Sequence, residues 1–167
     1  DTIRMSARDQ LETFERKGKY VLFVNSVQEG EQQTWADTLN KFTDDARFGK
    51  LAAHITHAVG NNALFIKQMG NLSIMVADTF EDALSIATKL RDQAKAQHNL
   101  DLCIGIDQSD VLLFKRVDGT WEILGQAVNY TSKLVEDIWK DNFALGKERI
   151  MTNDKKRGSI YATLRAI

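Results

Sequence analysis

A continuous apolar run at residues 20–24 (Tyr-Val-Leu-Phe-Val) constrains the fold of this chain more than any other feature. It has the length of a strand, and it lacks the alternation of polar and apolar residues that a half-exposed strand shows. Such a run is typical of a strand that is buried on both faces of a sheet. The rest of the chain must therefore supply neighbouring strands, and helices that cover the sheet.

Elements of both kinds follow along the chain. Residues 35–59 carry apolar residues at helical spacing and predict a long helix. Residues 63–66 and 72–77 predict a β-hairpin, and a sequence that resembles a capping box at 79–82 predicts the start of a second helix. Residues 100–106 predict a further strand. This order is the β-α-β-β-α-β pattern of a ferredoxin-like fold.

The last third of the chain predicts a second hairpin and a third helix. Residues 111–114 and 121–124 flank an Asp-Gly turn, and the helix follows Gly125. A short strand is predicted at 150–152, and a final helix or strand closes the chain. Together the elements predict an α+β fold, in which a mostly antiparallel sheet carries helices on one face.

The length of 167 residues is enough for one domain with a full core. Apolar residues make up 43% of the chain and charged residues 27%, which is ordinary for a globular protein. Residues 1–18 are mostly polar, with Leu11 and Phe14 at helical spacing, and predict a lead-in helix or linker. Residues 19–167 are expected to form a single domain.

The overall charge and the apolar segments limit the partners. A net charge of -1 gives no general attraction for nucleic acid or an anionic membrane. No apolar run approaches the roughly 20 residues that span a bilayer, and the first residues of the sequence contain no apolar run of the kind found in a signal peptide. The single cysteine, Cys103, has apolar neighbours and predicts a buried strand residue. We expect a cytoplasmic location, as a domain of a larger protein.

Four segments carry short motifs. They read Phe-Val-Asn-Ser-Val-Gln-Glu-Gly at 23–30, Lys-Gln-Met-Gly-Asn at 67–71, Leu-Cys-Ile-Gly-Ile-Asp-Gln-Ser at 102–109, and Gly-Gln-Ala-Val-Asn-Tyr-Thr-Ser-Lys-Leu at 125–134. In order and spacing they resemble the catalytic domain of class III nucleotidyl cyclases. That family reads Phe-x-Asp-Ile-x-Gly-Phe-Thr, Lys-x-x-Gly-Asp, Arg-Ile-Gly-Ile-His-x-Gly and Gly-x-x-Val-Asn-x-Ala-x-Arg-Leu. The resemblance covers residues 19–153, most of the chain.

The resemblance implies a metal-dependent cyclisation of a nucleoside triphosphate, but this chain differs from the family at the metal-binding positions. In that family a ribose 3′-oxygen attacks the α-phosphate of a nucleoside triphosphate, with two metal ions held by two aspartates. Asn25 and Asn71 stand at the two aspartate positions here. Gln28 replaces a glycine of the phosphate-binding loop, and Glu29 adds a negative charge. We therefore expect a degenerate metal site without a cofactor; an active domain would use Mg²⁺ or Mn²⁺.

The residues of the other half of the site are better kept. By the resemblance, Lys67 and Glu122 read the purine base and Asn129 orients the ribose. Lys133 supplies charge for the transition state, without the planar fork of the arginine that the family has there. Alternatives without a function remain open: Lys67 and Glu122 as a surface ion pair, and Asn129 as a helix cap.

Together these residues predict a non-catalytic module for signal transduction that dimerises and binds a purine nucleoside triphosphate. The family's site lies across a dimer interface, so the expected partner is a second copy or a homologous cyclase domain. The alternative is an enzyme, either the metal-free half of a heterodimeric cyclase or an Asp-to-Asn variant of a working one. A third possibility is a scaffold that keeps only the dimer surface.

Overall fold

Two long strands, β1 (Glu12–Val27) and β4 (Asp101–Lys115), form the centre of the fold. The structure is a computed structural model and describes residues 12–27, 35–70, 72–139 and 159–167. The other elements are α1 (Trp35–Ala58), β2 (Ala63–Met69), β3 (Leu72–Ala77), α2 (Phe80–His98), β5 (Trp121–Gly125), α3 (Gln126–Trp139) and β6 (Ser159–Ala162). Single 3₁₀ turns lie at Gly60–Asn62 and Leu164–Ala166.

The strands of the described residues form one six-stranded sheet. Five of them follow the order β2-β3-β1-β4-β5, and the sixth, β6, pairs with β4. Neighbours in this order are antiparallel, while β6 pairs in parallel with the first half of β4. The apolar run lies in the middle of β1, where residues 21–24 are all buried. This confirms the α+β fold with a mostly antiparallel sheet, and the central position of that run.

Different helices cover the two faces of the sheet. Leu22 and Val24 pack into the core that α1 and α2 complete. Val21 and Phe23 point to the opposite face, where residues of α3 join the core. The expectation that all helices lie on one face is therefore wrong. Successive side chains of a strand point to opposite faces, so a run that is apolar throughout needs cover on both.

The N-terminal part of β1 was expected to be a helix or linker, and for residues 12–18 this is wrong. These residues are strand, and Glu12 to Arg16 pair with the second half of β4. Phe14 packs its ring against Trp121 of β5, with a centroid distance of 5.8 Å. Pairing with a strand about 100 positions away overrides the local helical spacing.

Several local predictions are confirmed. The hairpin of β2 and β3 turns at Gly70, which has a φ of +56°. The Thr79 side chain caps α2 by accepting a hydrogen bond from the backbone N–H of Asp82 at 3.1 Å. The predicted strands 100–106 and 111–114 are one continuous strand, β4, whose hairpin with β5 carries the expected Asp-Gly turn. The strand predicted at 150–152 lies outside the described residues.

Cys103 is buried in β4, as predicted, and burial raises the pKa of its thiol to about 12. Among the described residues, no helix has both the length and the apolar character needed to cross a membrane.

Candidate functional site

Of the two positions where the resembled family has aspartates, the first lies in β1 and the second directly precedes β3 in the sequence. Asn25 near the end of β1 pairs with Leu72, the first residue of β3. Leu72 follows Asn71 directly in the chain, and Asn71 lies outside the described residues, as do Gln28 and Glu29. The strand register therefore brings position 25 beside the segment that carries position 71.

The side chains at these positions do not fit a divalent metal. An asparagine offers a neutral amide oxygen, whereas Mg²⁺ in proteins is usually bound through one or two carboxylates plus phosphates. Among the described residues, no three His, Cys, Asp or Glu side chains come close enough to hold a metal ion. We therefore assign no reaction step to a metal in this chain.

Gln68 ties the β2–β3 hairpin to α1. Its Nε2 donates to the carbonyl of Asp45 at 2.5 Å and to the carbonyl of Gly70 at 3.0 Å. Its side chain occupies the space beside Gly49, where an added Cβ would lie 1.8 Å from Gln68 Oε1. This contact was not predicted from the sequence. A glycine in the interior of a long helix was the signal, since it costs helix stability unless something needs the space.

Lys67 and Glu122 meet directly. Lys67 Nζ lies 2.6 Å from Glu122 Oε2, although their strands β2 and β5 are at opposite edges of the sheet. Arg116 Nη2 lies 3.3 Å from the other carboxylate oxygen of Glu122. The ion pair that the sequence analysis left open is therefore present. Because both side chains are about 30% exposed, the pair adds less than about 1 kcal/mol to stability.

Asn129 and Lys133 lie one turn apart on α3, and both are exposed. The alternative that Asn129 caps the helix is wrong, because α3 begins at Gln126 and Asn129 already lies inside it. The N-terminus is instead held by Ser109 of β4, whose Oγ accepts a hydrogen bond from the backbone N–H of Ala127 at 2.9 Å. Asn129 is therefore not needed to start the helix.

A buried carboxylate close to α3 was not singled out from the sequence. Asp107 of β4 is fully buried and accepts hydrogen bonds from Arg165 and Thr163 near the C-terminus. Burial alone would raise the pKa of Asp107, but the hydrogen bonds from Arg165 and Thr163 outweigh it and hold the pKa below its usual value. The signal in the sequence was the position of Asp107, a charged residue that directly follows an apolar strand segment.

The hairpin of β4 and β5 presents both packed and exposed apolar groups. Trp121 packs on Phe14 of the same domain, with 5.8 Å between the ring centroids. Val117 in the turn and Leu124 in β5 are 76% and 60% exposed. The hairpin therefore offers an apolar outer surface without using Trp121.

No protein-family model matches this chain. No curated protein matches its sequence.

Solved structures with a similar fold exist. Adenylate cyclases from Trypanosoma brucei in their monomeric state match with a TM-score of 0.60 and 12% identity, covering 89% of this chain and 74% of theirs. The guanylate cyclase domain of RhGC from Catenaria anguillulae, in complex with GTP, matches with a TM-score of 0.56 and 12% identity, covering 89% and 79%. An adenylate/guanylate cyclase/hydrolase from Silicibacter pomeroyi matches with a TM-score of 0.55 and 20% identity, covering 74% and 71%.

These identities are low, and the likeness therefore concerns the fold. The agreement extends over most of the length of each chain, with the ferredoxin-like strand order described above. This chain has the fold of adenylate and guanylate cyclase domains.

Proposed function

We propose that this chain is a non-catalytic nucleotidyl cyclase-like domain that dimerises and binds a purine nucleoside triphosphate as a regulatory module in signal transduction. The observation that carries the proposal is the pair of asparagines, Asn25 and Asn71, at the positions of the family's two metal-binding aspartates. The register that sets Asn25 against Leu72 supports the assignment of both positions.

Loss of both carboxylates removes the basis of the family's chemistry. Two metal ions serve to activate the attacking oxygen and to neutralise the phosphates, and each needs anionic ligands. Neutral amides at both positions leave the phosphate charge uncompensated on this side of the site. We therefore expect no cyclase turnover from the isolated chain, and no tightly bound metal cofactor.

Nucleotide binding is proposed through the residues of the other half-site. Lys67 and Glu122 are already adjacent and present a donor and an acceptor, the two functions needed to read the edge of a purine. Asn129 and Lys133 are exposed on α3 and free of a capping role, so they are accessible to the ribose and phosphates. A purine base has to compete with the Lys67–Glu122 ion pair, which predicts modest affinity.

The proposed partner is a second copy of the chain or a homologous cyclase domain. A two-fold dimer would set the face with Lys67, Glu122 and Asn129 of one subunit against positions 25 and 71 of the other. The exposed Leu124 extends this face with apolar surface, which interface cores favour.

A second candidate function is the metal-free half of a heterodimeric cyclase. It is favoured by the asymmetry of the losses, since both aspartates are replaced while Lys67, Glu122 and Asn129 are kept. In that arrangement a partner domain with its own aspartates would hold Mg²⁺ or Mn²⁺. An Asp-to-Asn variant of a working enzyme is less well supported, because Gln28 also departs from the family pattern.

The proposal is tested by calorimetric titration with ATP and with GTP, each with and without Mn²⁺, and by assays for cyclic nucleotide. We expect binding of at least one nucleotide, little effect of Mn²⁺, and no product. Metal-dependent product from the purified chain alone would contradict the non-catalytic assignment. Product formed only after mixing with an aspartate-bearing cyclase domain would establish the second candidate instead. If neither nucleotide binds, the remaining hypothesis is a scaffold that keeps only the dimer surface.

A further inference from the structure

The C-terminal segment of the chain is fastened to the centre of the sheet. Strand β6 pairs with β4, and the backbone N–H of Thr163 donates to the carbonyl of Ile106 at 3.0 Å. Ala166 is buried in the core beneath α1 and α2. Between these two anchors, the side chain of Arg165 turns towards α3 on the opposite face of the sheet.

Asp107 fixes the position of Arg165. The carboxylate is fully buried, and the guanidinium forks onto both of its oxygens, with Nε at 2.7 Å from Oδ1 and Nη2 bound to Oδ2. Thr163 Oγ1 donates to Oδ1 at 2.5 Å. Withdrawing Arg165 would leave a buried charge without its counterion, which is strongly unfavourable. The guanidinium is therefore held at one place.

From that place Arg165 touches the start of α3. Its guanidinium carbon lies 4.8 Å from the centroid of the Tyr130 ring, and Nη1 lies 3.2 Å from Gln126 Oε1. Gln126 and Tyr130 are four residues apart and so lie on one face of the helix. Asn129 adjoins Tyr130 on that exposed side, and Lys133 follows one turn later.

We propose that Arg165 is a positioning residue for the nucleotide half-site. Held by Asp107, it fixes the rotation of the first two turns of α3 and with it the direction of Asn129 and Lys133. Ser109 anchors the same turns from beneath, through the N–H of Ala127, so the helix is fixed from two sides. The consequence for nucleotide affinity rests on the proposed function, whereas the fixing of α3 can be measured without it.

The test combines hydrogen exchange with titration of ATP as the probe. The amides of residues 130–133 lie in the first turns of α3 and have acceptors inside the helix, so they report its local opening. Arg165→Gln and Asp107→Asn should speed their exchange by about tenfold relative to the amides of α2, and weaken ATP binding by about tenfold. Arg165→Lys keeps the charge but loses the two-pronged contact with Asp107 and the stacking on Tyr130. Its exchange rates and its affinity for ATP should lie between those of the wild type and of Arg165→Gln.

Lys19→Gln is the matched control, because it removes an ion pair of 2.7 Å with Asp78, and neither of these residues belongs to α3. It should change neither the exchange of α3 nor the affinity for ATP. If Arg165→Gln does not fold, Tyr130→Leu removes the stacking alone and should speed exchange by about threefold. Unchanged exchange in α3, or an increase of equal size in α2, would overturn the positioning role. If the wild-type chain binds neither ATP nor GTP, the proposed function fails while the exchange result still decides this inference.

Discussion

At the scale of single residues, buried Asp107 shows how a charge is retained inside the sheet. Its two oxygens accept hydrogen bonds from Arg165 and Thr163, and these outweigh the cost of burial. The pair could not be predicted from the sequence, because the partners are 58 residues apart. The resemblance to cyclases singled out Lys67 and Glu122, 55 residues apart, as base-reading residues, and their ion pair was the alternative left open beside that role.

The lowered pKa of Asp107 predicts a pH-dependent contribution to stability. A carboxylate whose pKa is lower in the folded state than in the unfolded state stabilises the fold at pH values above its ordinary pKa of 3.8. This contribution is lost as the pH falls through the lower pKa of the folded state. Asp107→Asn should therefore lower the free energy of unfolding by about 1–3 kcal/mol at pH 7. The difference from wild type should shrink below about pH 4. Urea unfolding of both proteins between pH 7 and pH 3 measures it; a constant difference would contradict the assignment.

Gly49 is a second residue whose role is set by a distant side chain. In a helix interior, Gly→Ala normally stabilises by about 1 kcal/mol. Here the new Cβ would displace Gln68 and break its hydrogen bonds to the carbonyls of Asp45 and Gly70. Gly49→Ala should therefore lower stability by about 1 kcal/mol in the wild-type chain and raise it by about 1 kcal/mol in a Gln68→Ala background. Denaturant unfolding of the four proteins provides the measurement, and the same sign in both backgrounds would contradict it.

At the scale of elements, what could be predicted from the sequence depended on the range of the interactions. The β2–β3 hairpin and the cap of α2 follow from turn and capping residues only a few positions apart, and both were predicted. The extension of β1 to Glu12 depends on pairing with the far end of β4, so local spacing pointed to a helix instead. The face chosen by α3 is likewise set by contacts with β4 and not by its own periodicity.

The residues around the family's aspartate positions predict what restoring the two aspartates would do. Asn25→Asp together with Asn71→Asp would return one carboxylate to β1 and one to the position directly before β3 in the sequence. Gln28 and Glu29 would still hinder the triphosphate, and Lys133 would still lack the arginine fork. We expect the double variant to remain far below the turnover of about 1 s⁻¹ at the lower end of the usual enzyme range. Cyclic nucleotide assays with Mn²⁺ decide this, and near-normal turnover would identify the chain as an inactivated enzyme.

At the scale of the whole molecule, the functional candidates lie on elements other than α1 and α2. Asn129 is on α3, which packs on the opposite face of the sheet, and Glu122 is on the edge strand β5; these two elements form one side of the molecule. A site split between two subunits needs this side to face a partner, since positions 25 and 71 cannot meet Asn129 of a second copy otherwise. Self-association is thus the property on which the nucleotide proposal depends most directly.

We expect the chain to form a dimer at tens of micromolar through this side. Leu124 is 60% exposed on β5, and placing a charge there should weaken the dimer because it would have to be desolvated in the interface. Leu84 is 41% exposed on α2, which packs on the face of the sheet opposite to α3, and provides the matched control. Leu124→Glu should raise the dimer dissociation constant by about tenfold or more, and Leu84→Glu should leave it unchanged.

Sedimentation velocity at several concentrations distinguishes the outcomes. A wild-type chain that stays monomeric at about 50 µM would show that the cyclase-like pairing requires a different partner domain. A dimer that is weakened by Leu84→Glu and not by Leu124→Glu would show that the chain associates through the side that carries α2. In that case Lys67, Glu122 and Asn129 would face solvent in the dimer, and nucleotide binding would have to occur within one subunit.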